Sequence, residues 1–164
     1  MRDVIVGGPI PDVQLCLMDG EELRPVSARV LFAHGRVVVL GVPGAYTPIC
    51  TRQHVPDFVR NADRMLASGY TNLFCIAPND PFVLDVWARQ LDPKRKLQFV
   101  SDGNLEFARQ LGLHQQARNL FLGWRSERYL MIIERGIIMK LRVEPNILTY
   151  SCATSADVEE VEYI

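Results

Sequence analysis

Apolar positions along this chain recur with two alternating periods, and the alternation lays out an α/β protein. Val13–Met18 predicts a short strand, followed by a turn at Asp19-Gly20. Val37–Gly41 is a compact β-branched run that stops at Val42-Pro43-Gly44, which predicts a buried strand ending in a loop. From Pro48 to Met65 the period changes. Val55, Phe58, Val59, Ala62, Met65 and Leu66 fall at helical spacing, and Gly69 ends the helix. Leu73–Ala77 is the next buried strand. Pro81–Leu91 is a second helix, with Asp80 as N-cap and Pro81 at the first helical position. Gln98–Val100 predicts a short strand, and Leu105–Leu111 a short helix closed by Gly112. Tyr129–Ile133 and Ile137–Val143 flank Arg135-Gly136, a hairpin signal. Ser155–Val161 predicts a short terminal helix capped by Ser155, with Glu159 and Glu160 on a solvated face.

Strand–helix–strand crossovers that feed an antiparallel hairpin describe a mixed sheet with helices on both faces. That order fits a thioredoxin-like fold as well as several other α/β folds. No repeat, low-complexity tract or linker interrupts it, so residues 1–164 are expected to form one domain, long enough to bury a real core.

Composition narrows the function classes. A formal net charge of -1 supplies no basic field for nucleic acid or an anionic membrane. No run approaches the roughly 20 apolar residues of a membrane span. The N-terminal MRDVIVGGPIPDV lacks the apolar core of a secretory signal, so an uncleaved cytoplasmic form is the default, with import of a longer precursor left open. Four cysteines stand at 16, 50, 75 and 152, with no CxxC pair, and the three histidines (His34, His54, His114) are scattered. Neither a metal site nor a disulfide scaffold follows from that spacing, and no cofactor is implied. The cysteines are therefore buried inert thiols or a few redox-active ones.

The stretch Pro43-Gly44-Ala45-Tyr46-Thr47-Pro48-Ile49-Cys50 carries the chemistry. It leaves a buried strand and opens a helix. Thr47 suits the N-cap and Pro48 the first helical position, which puts Cys50 in the first turn among unpaired backbone N–H groups. The positive end of a helix favours a thiolate, the reactive form of cysteine. Gly44 permits a tight turn and close approach to a ligand, and Pro43 can shield one side of the pocket.

PGAYTPIC resembles the PxxxTxxC signature of peroxiredoxins, and PGAYTPICTRQHVPDF is similar to the subfamily of plant type II and mammalian type five peroxiredoxins. The resemblance extends through Asn79-Asp80-Pro81-Phe82, Trp87, Ser101-Asp102-Gly103, the segment Arg125-Ser126-Glu127-Arg128-Tyr129 and Val143-Glu144-Pro145, nearly the whole chain from Val37 onward. It implies a thioredoxin-like fold and a thiol-dependent peroxidase acting on hydrogen peroxide and organic hydroperoxides. By position, Cys50 matches the peroxidatic cysteine and Thr47 the threonine that bonds thiolate and peroxide. Pro43 matches the shielding proline, and Arg128 the arginine that stabilises thiolate and peroxide. Backbone donors near Gly44 and an apolar wall including Phe121 and Leu122 match the substrate pocket. Read alone, Arg128 is a surface arginine at a strand start, Thr47 a plain cap and Trp87 a packing residue that the resemblance places near the site or a dimer contact. His54, one turn beyond Cys50, is expected to pack or bond locally and not to act as a base. One departure stands out. Asp57 occupies a position where the family usually has glycine, and an effect on packing or local charge is expected there.

A second thiol has to attack the sulfenic acid formed at Cys50. Cys16 is read as structural, and Cys75 lies in an apolar strand. Cys152 lies in Thr149–Ser155, a polar loop expected to be accessible and mobile. The type five pattern places its resolving cysteine shortly after Val-Glu-Pro, matching Cys152, and the type II pattern matches Cys75. Cys152 is favoured and Cys75 is second. The reductant (thioredoxin, glutaredoxin or glutathione) stays open, and the family's usual state is a homodimer. A peroxide sensor or relay using the same Cys50, and a binding module with a vestigial thiol, are the competing classes.

Overall fold

The structure is a computed structural model that describes residues 6–159. Chain order begins with β1 (Gln14–Asp19), β2 (Glu22–Ser27), α1 (Ala28–Leu31) and β3 (Arg36–Gly41). A π-helical turn, Cys50–His54, then leads into α2 (Val55–Ala67). After it come β4 (Asn72–Ala77), α3 (Pro81–Leu91), β5 (Gln98–Ser101), α4 (Glu106–Gln110), β6 (His114–Gln116), β7 (Trp124–Ser126), β8 (Tyr129–Glu134) and β9 (Ile137–Val143). The main sheet has seven strands in the order β2-β1-β5-β4-β3-β8-β9. β3–β4 and β4–β5 are parallel, and the remaining pairs are antiparallel. β6 and β7 form a separate ribbon.

The alternation of side chains along central strands sorts the core into two layers. Val38, Leu40, Leu73 and Cys75 face α2 and α3, where Phe58, Met65, Leu84 and Trp87 are buried with Cys50. Val37, Val39, Phe74 and Ile76 face the other way onto Phe32 and Phe107. A strand buried on both faces carries an unbroken apolar run, which is why β3 and β4 stand out in the sequence. The mixed sheet with flanking helices agrees with the thioredoxin-like expectation.

Several boundaries differ from the sequence prediction. The turn at Asp19-Gly20 leads into a second strand that the hydrophobic pattern misses, because β2 is an edge strand with mostly exposed side chains and Pro25 inside it. The helix predicted from Pro48 is helical from Pro48 but widens into the π turn before α2. At the C-terminus the expected helix over Ser155–Val161 is a single 3-10 turn, Ser155–Val158, whose cap is Thr154, and residues 160 and 161 lie outside the described residues. Among the described residues no helix is long and apolar enough to cross a membrane.

Candidate active site

β3 delivers the chain to the site through a close approach. A Cβ on Gly41 would lie 2.0 Å from Cε1 of Tyr129, so only glycine lets that buried ring cross the strand end. The loop that follows is pinned from two sides. Asn79 Oδ1 accepts the Ala45 N–H at 2.8 Å. Arg125 donates from Nε to Leu122 O at 2.8 Å and from Nη1 to Pro43 O at 3.4 Å, tying the ribbon to the loop. A Cβ on Gly44 would meet Arg125 Nη1 at 2.5 Å, so Gly44 admits the guanidinium. Tyr46 takes a left-handed backbone at φ 64°, which turns the chain into the helix. The Thr47 carbonyl accepts the first helical bond, from Thr51 N–H at 3.0 Å. Its hydroxyl does not cap the helix as expected but turns back and donates to Gly44 O at 2.7 Å. With its hydrogen committed there, Thr47 Oγ1 presents lone pairs, the acceptor that a peroxide O–H requires.

Cys50 is fully buried at the start of the π turn. Arg128, 78 residues away and only 2% exposed, donates from Nη1 to Cys50 Sγ at 3.3 Å. The same Nη1 meets His54 Nδ1 at 3.1 Å, and Nη2 donates to Ile147 O at 3.0 Å. Among the described residues, Arg128 Nε is buried without a hydrogen-bond partner. Among the described residues this guanidinium thus meets a thiol, an imidazole nitrogen and a carbonyl, and no carboxylate. A buried cation without an anion is costly, and the thiol that this one contacts is Cys50. The fold therefore holds a permanent positive charge against the Cys50 sulfur.

His54 is the residue that sequence reasoning undervalued. It is fully buried, with its ring 4.9 Å from the Tyr150 ring and 5.5 Å from the Phe58 ring. Because Arg128 donates to Nδ1, the ring proton belongs on Nε2. Burial and then the Arg128 charge hold the imidazole pKa well below its ordinary value, and the Ala153 backbone opposes them. His54 is thus a neutral acceptor that orients Arg128. The sign of its effect on stability follows. The folded state refuses a proton that the unfolded chain accepts below about pH 6.5, so stability is present above that pH and is lost as pH falls below it. Chemical denaturation at a series of pH values should show a His54→Asn variant losing less stability on acidification than wild type, by up to about 1.4 kcal/mol per pH unit.

The other candidate residues divide. Pro43 and Gly44 are buried in the loop that leads to Cys50. Phe121 caps a 3-10 turn at the ribbon tip and is 98% exposed. Trp87 is buried and donates from Nε1 to Thr51 Oγ1 at 3.2 Å, so it packs against the π turn that carries Cys50. All four thiols are free. Cys75 is buried in β4, and burial pushes its pKa well above the ordinary value. Cys152 is partly exposed, in an irregular segment that hydrogen bonds hold in place. Its thiol donates to Val143 O at 3.4 Å, and its N–H donates to Glu144 Oε1 at 2.7 Å. The reason is Glu144, whose side chain the segment folds around. Asp57 also exceeds its expected role, because it bonds Tyr150 and Ser155, 93 and 98 residues away. The signal for both clamps was present only as a lone acidic residue in each motif.

A buried helix-start thiol held by an arginine, on a mixed sheet flanked by helices, is the arrangement of a thioredoxin-like redox protein. The chain belongs to the redoxin family, whose model matches residues 5–161. Within it the similarity runs to peroxiredoxins. Peroxiredoxin-2C of Oryza sativa subsp. japonica is 38% identical over 145 residues, 88% of this chain and 90% of the relative. Reduced Prx3 from Vibrio vulnificus, solved in complex with H2O2, superposes with a TM-score of 0.89 at 29% identity, covering 94% of this chain and 96% of that one. Peroxiredoxin 5 from Alvinella pompejana gives 0.82 at 30% identity, covering 94% and 95%. The protein is a thiol-dependent peroxidase that uses a peroxide substrate and a thiol reductant.

Proposed function

We propose that Cys50 is the peroxidatic thiol and Cys152 the thiol that resolves it, within a single domain. The observation that carries the first half is the Arg128 Nη1–Cys50 Sγ contact at 3.3 Å, made by a buried guanidinium with no carboxylate partner among the described residues. The Cys50 thiolate attacks one peroxide oxygen, a sulfur–oxygen bond forms, and the O–O bond breaks. The departing oxygen takes the electron pair and a proton and leaves as water from hydrogen peroxide, or as an alcohol from an organic hydroperoxide. Cys50 is left as the sulfenic acid. Negative charge grows on the departing oxygen, and fixed donors lower that barrier because they need no reorganisation. Arg128 serves with its unpartnered Nε and its permanent charge. Thr47 Oγ1 accepts a hydrogen bond from the peroxide O–H, and Pro43, Gly44 and the loop N–H groups shape the approach.

Resolution by Cys152 is supported by its place in the segment that packs on the site, since Ile147 bonds Arg128 and the Tyr150 ring lies against His54. Cys75 is a poorer nucleophile, buried and with its thiol pKa pushed far up. A thiol reductant then reopens the disulfide. Thioredoxin, glutaredoxin and glutathione, tested in turn in peroxide-consumption assays, will identify it. Dependence on that supply suits the cytoplasm. A homodimer is supported by the exposed apolar side chains of Tyr46, Phe82, Phe121 and Trp124, and a partner chain is where Phe121 would acquire a role as pocket wall. After peroxide treatment, non-reducing peptide mapping should yield a Cys50–Cys152 peptide, and Cys152→Ser should lose it. A Cys50–Cys75 peptide alone would overturn the assignment.

A further inference from the structure

We propose that Asp57 and Glu144 latch the Cys152 segment shut, so that release of this carboxylate latch sets how fast Cys152 resolves Cys50. The latch governs turnover only if Cys152 resolves, as proposed above. Asp57 grips the segment on both sides of Cys152. Its carboxylate accepts the Tyr150 hydroxyl on one side, and on the other the Ser155 N–H at 2.8 Å and the Ser155 hydroxyl at 2.7 Å. Asn61 steadies the carboxylate from the next turn of α2 at 3.0 Å. Glu144 grips the middle. Its Oε1 accepts the N–H groups of Ser151, Cys152 and Ala153 at 2.6, 2.7 and 3.0 Å, and its Oε2 accepts the Ser151 hydroxyl at 3.0 Å. Cys152 cannot leave its place without breaking bonds to an ionised carboxylate, which are among the stronger hydrogen bonds in proteins.

The closed segment shuts over the chemistry. Ala153 is fully buried in the core cluster that holds Cys50, Tyr150 lies against His54, and the Ile147 carbonyl takes Arg128 Nη2. Cys50 is itself fully buried, so the disulfide requires the segment or the helix start to move. Burial and then the neighbouring charges of Glu144 and Asp157 also push the Cys152 thiol up, which keeps it protonated while latched. A latched segment leaves the Cys50 sulfenic acid waiting. It then meets one of two fates. Cys152 sulfur attacks it, an S–S bond forms, the S–O bond breaks and water leaves. Otherwise a second peroxide oxidises it to the sulfinic acid and is itself reduced to water or alcohol. The latch sets the division between these fates, which makes Asp57 and Glu144 positioning residues that act through Cys152.

The test compares wild type with Asp57→Asn, which keeps the shape and loses the charge, and with Tyr150→Phe, which keeps the ring on His54 and removes one bond. Two readouts are taken: the rate of Cys152 alkylation by N-ethylmaleimide in the reduced protein, located by peptide mass, and the ratio of Cys50 sulfinic acid to Cys50–Cys152 disulfide at a fixed excess of hydrogen peroxide. Asp57→Asn is expected to raise alkylation about tenfold and to lower the sulfinic fraction several-fold. Tyr150→Phe should move both readouts the same way by less, and it decides the matter alone if Asp57→Asn fails to fold. In a Cys152→Ser background the sulfinic yield should be the same with or without the Asp57→Asn change, because the latch then has nothing to release. Unchanged alkylation and an unchanged ratio in variants whose disulfide still forms would overturn the latch, as would a changed sulfinic yield in the Cys152→Ser background. If wild type forms no Cys50–Cys152 disulfide at all, the resolving assignment fails instead, and the alkylation rates still report on the latch.

Discussion

Cys50→Ser is expected to reduce thiol-dependent peroxide consumption by at least about 10³-fold, the scale seen when a covalent nucleophile is removed. Serine keeps the shape, but its hydroxyl stays protonated at neutral pH and offers no equivalent nucleophile. The remaining thiols do not substitute. Cys75 is buried in the central sheet, and Cys152 is held by Glu144 and Val143. Cys16 is on β1 and donates to the Leu17 carbonyl at 3.4 Å. The check is peroxide consumption beside a denaturant melt. Activity should vanish in a protein that still unfolds cooperatively.

Arg128→Met should lower the single-turnover rate of Cys50 oxidation by about 10²–10³-fold, the usual loss when a preorganised charge-stabilising donor is removed. Methionine fills the space of the arginine stem but brings neither charge nor donor. Its cost to stability is bounded. The variant strands the Ile147 carbonyl and His54 Nδ1, at about 1–3 kcal/mol each at most, while relieving a buried cation. Arg128→Lys is the sharper comparison. One ammonium cannot reach Cys50, His54 and Ile147 together as the guanidinium fork does, so restoring the charge alone should recover little of the rate. Rapid mixing with limiting peroxide measures the rate, and urea midpoints measure the stability.

Much of this site is legible in the sequence, for identifiable reasons. β3, β4 and the β8–β9 hairpin are apolar runs between turn residues, and α3 starts with a cap and a proline that the structure uses as expected: Asp80 Oδ1 accepts the Val83 N–H at 2.9 Å. The loop from Pro43 to Cys50 is contiguous, so its turn and helix start follow from local residue types. The rest is nonlocal. Arg128 reads as a surface residue, and only resemblance assigns it a role, because two of its partners, His54 and Cys50, are 74 and 78 residues earlier in the chain. His54 reads as a packing residue for the same reason. Asn79 and Arg125 sit inside recognised motifs, yet their work on the loop carrying Ala45 and Pro43 emerges only when the fold closes. The bonding of the Cys152 segment is not legible either, because small polar residues usually mean a free loop. Here their N–H and hydroxyl groups are donors for two carboxylates. β2 and the ribbon strands carry too little apolar pattern to be recognised.

Site-specific trapping bears most directly on Cys50 as the attacking thiol. Reduced Cys152→Ser protein, in which the first oxidation product persists, is mixed with one equivalent of hydrogen peroxide and a sulfenic-acid-specific trap such as dimedone, then digested and mapped by mass. The expected result is a single adduct on the peptide carrying Cys50, absent when Arg128→Met is added at the same short mixing time. An adduct on Cys16 or Cys75 with Cys50 left unmodified would contradict the assignment.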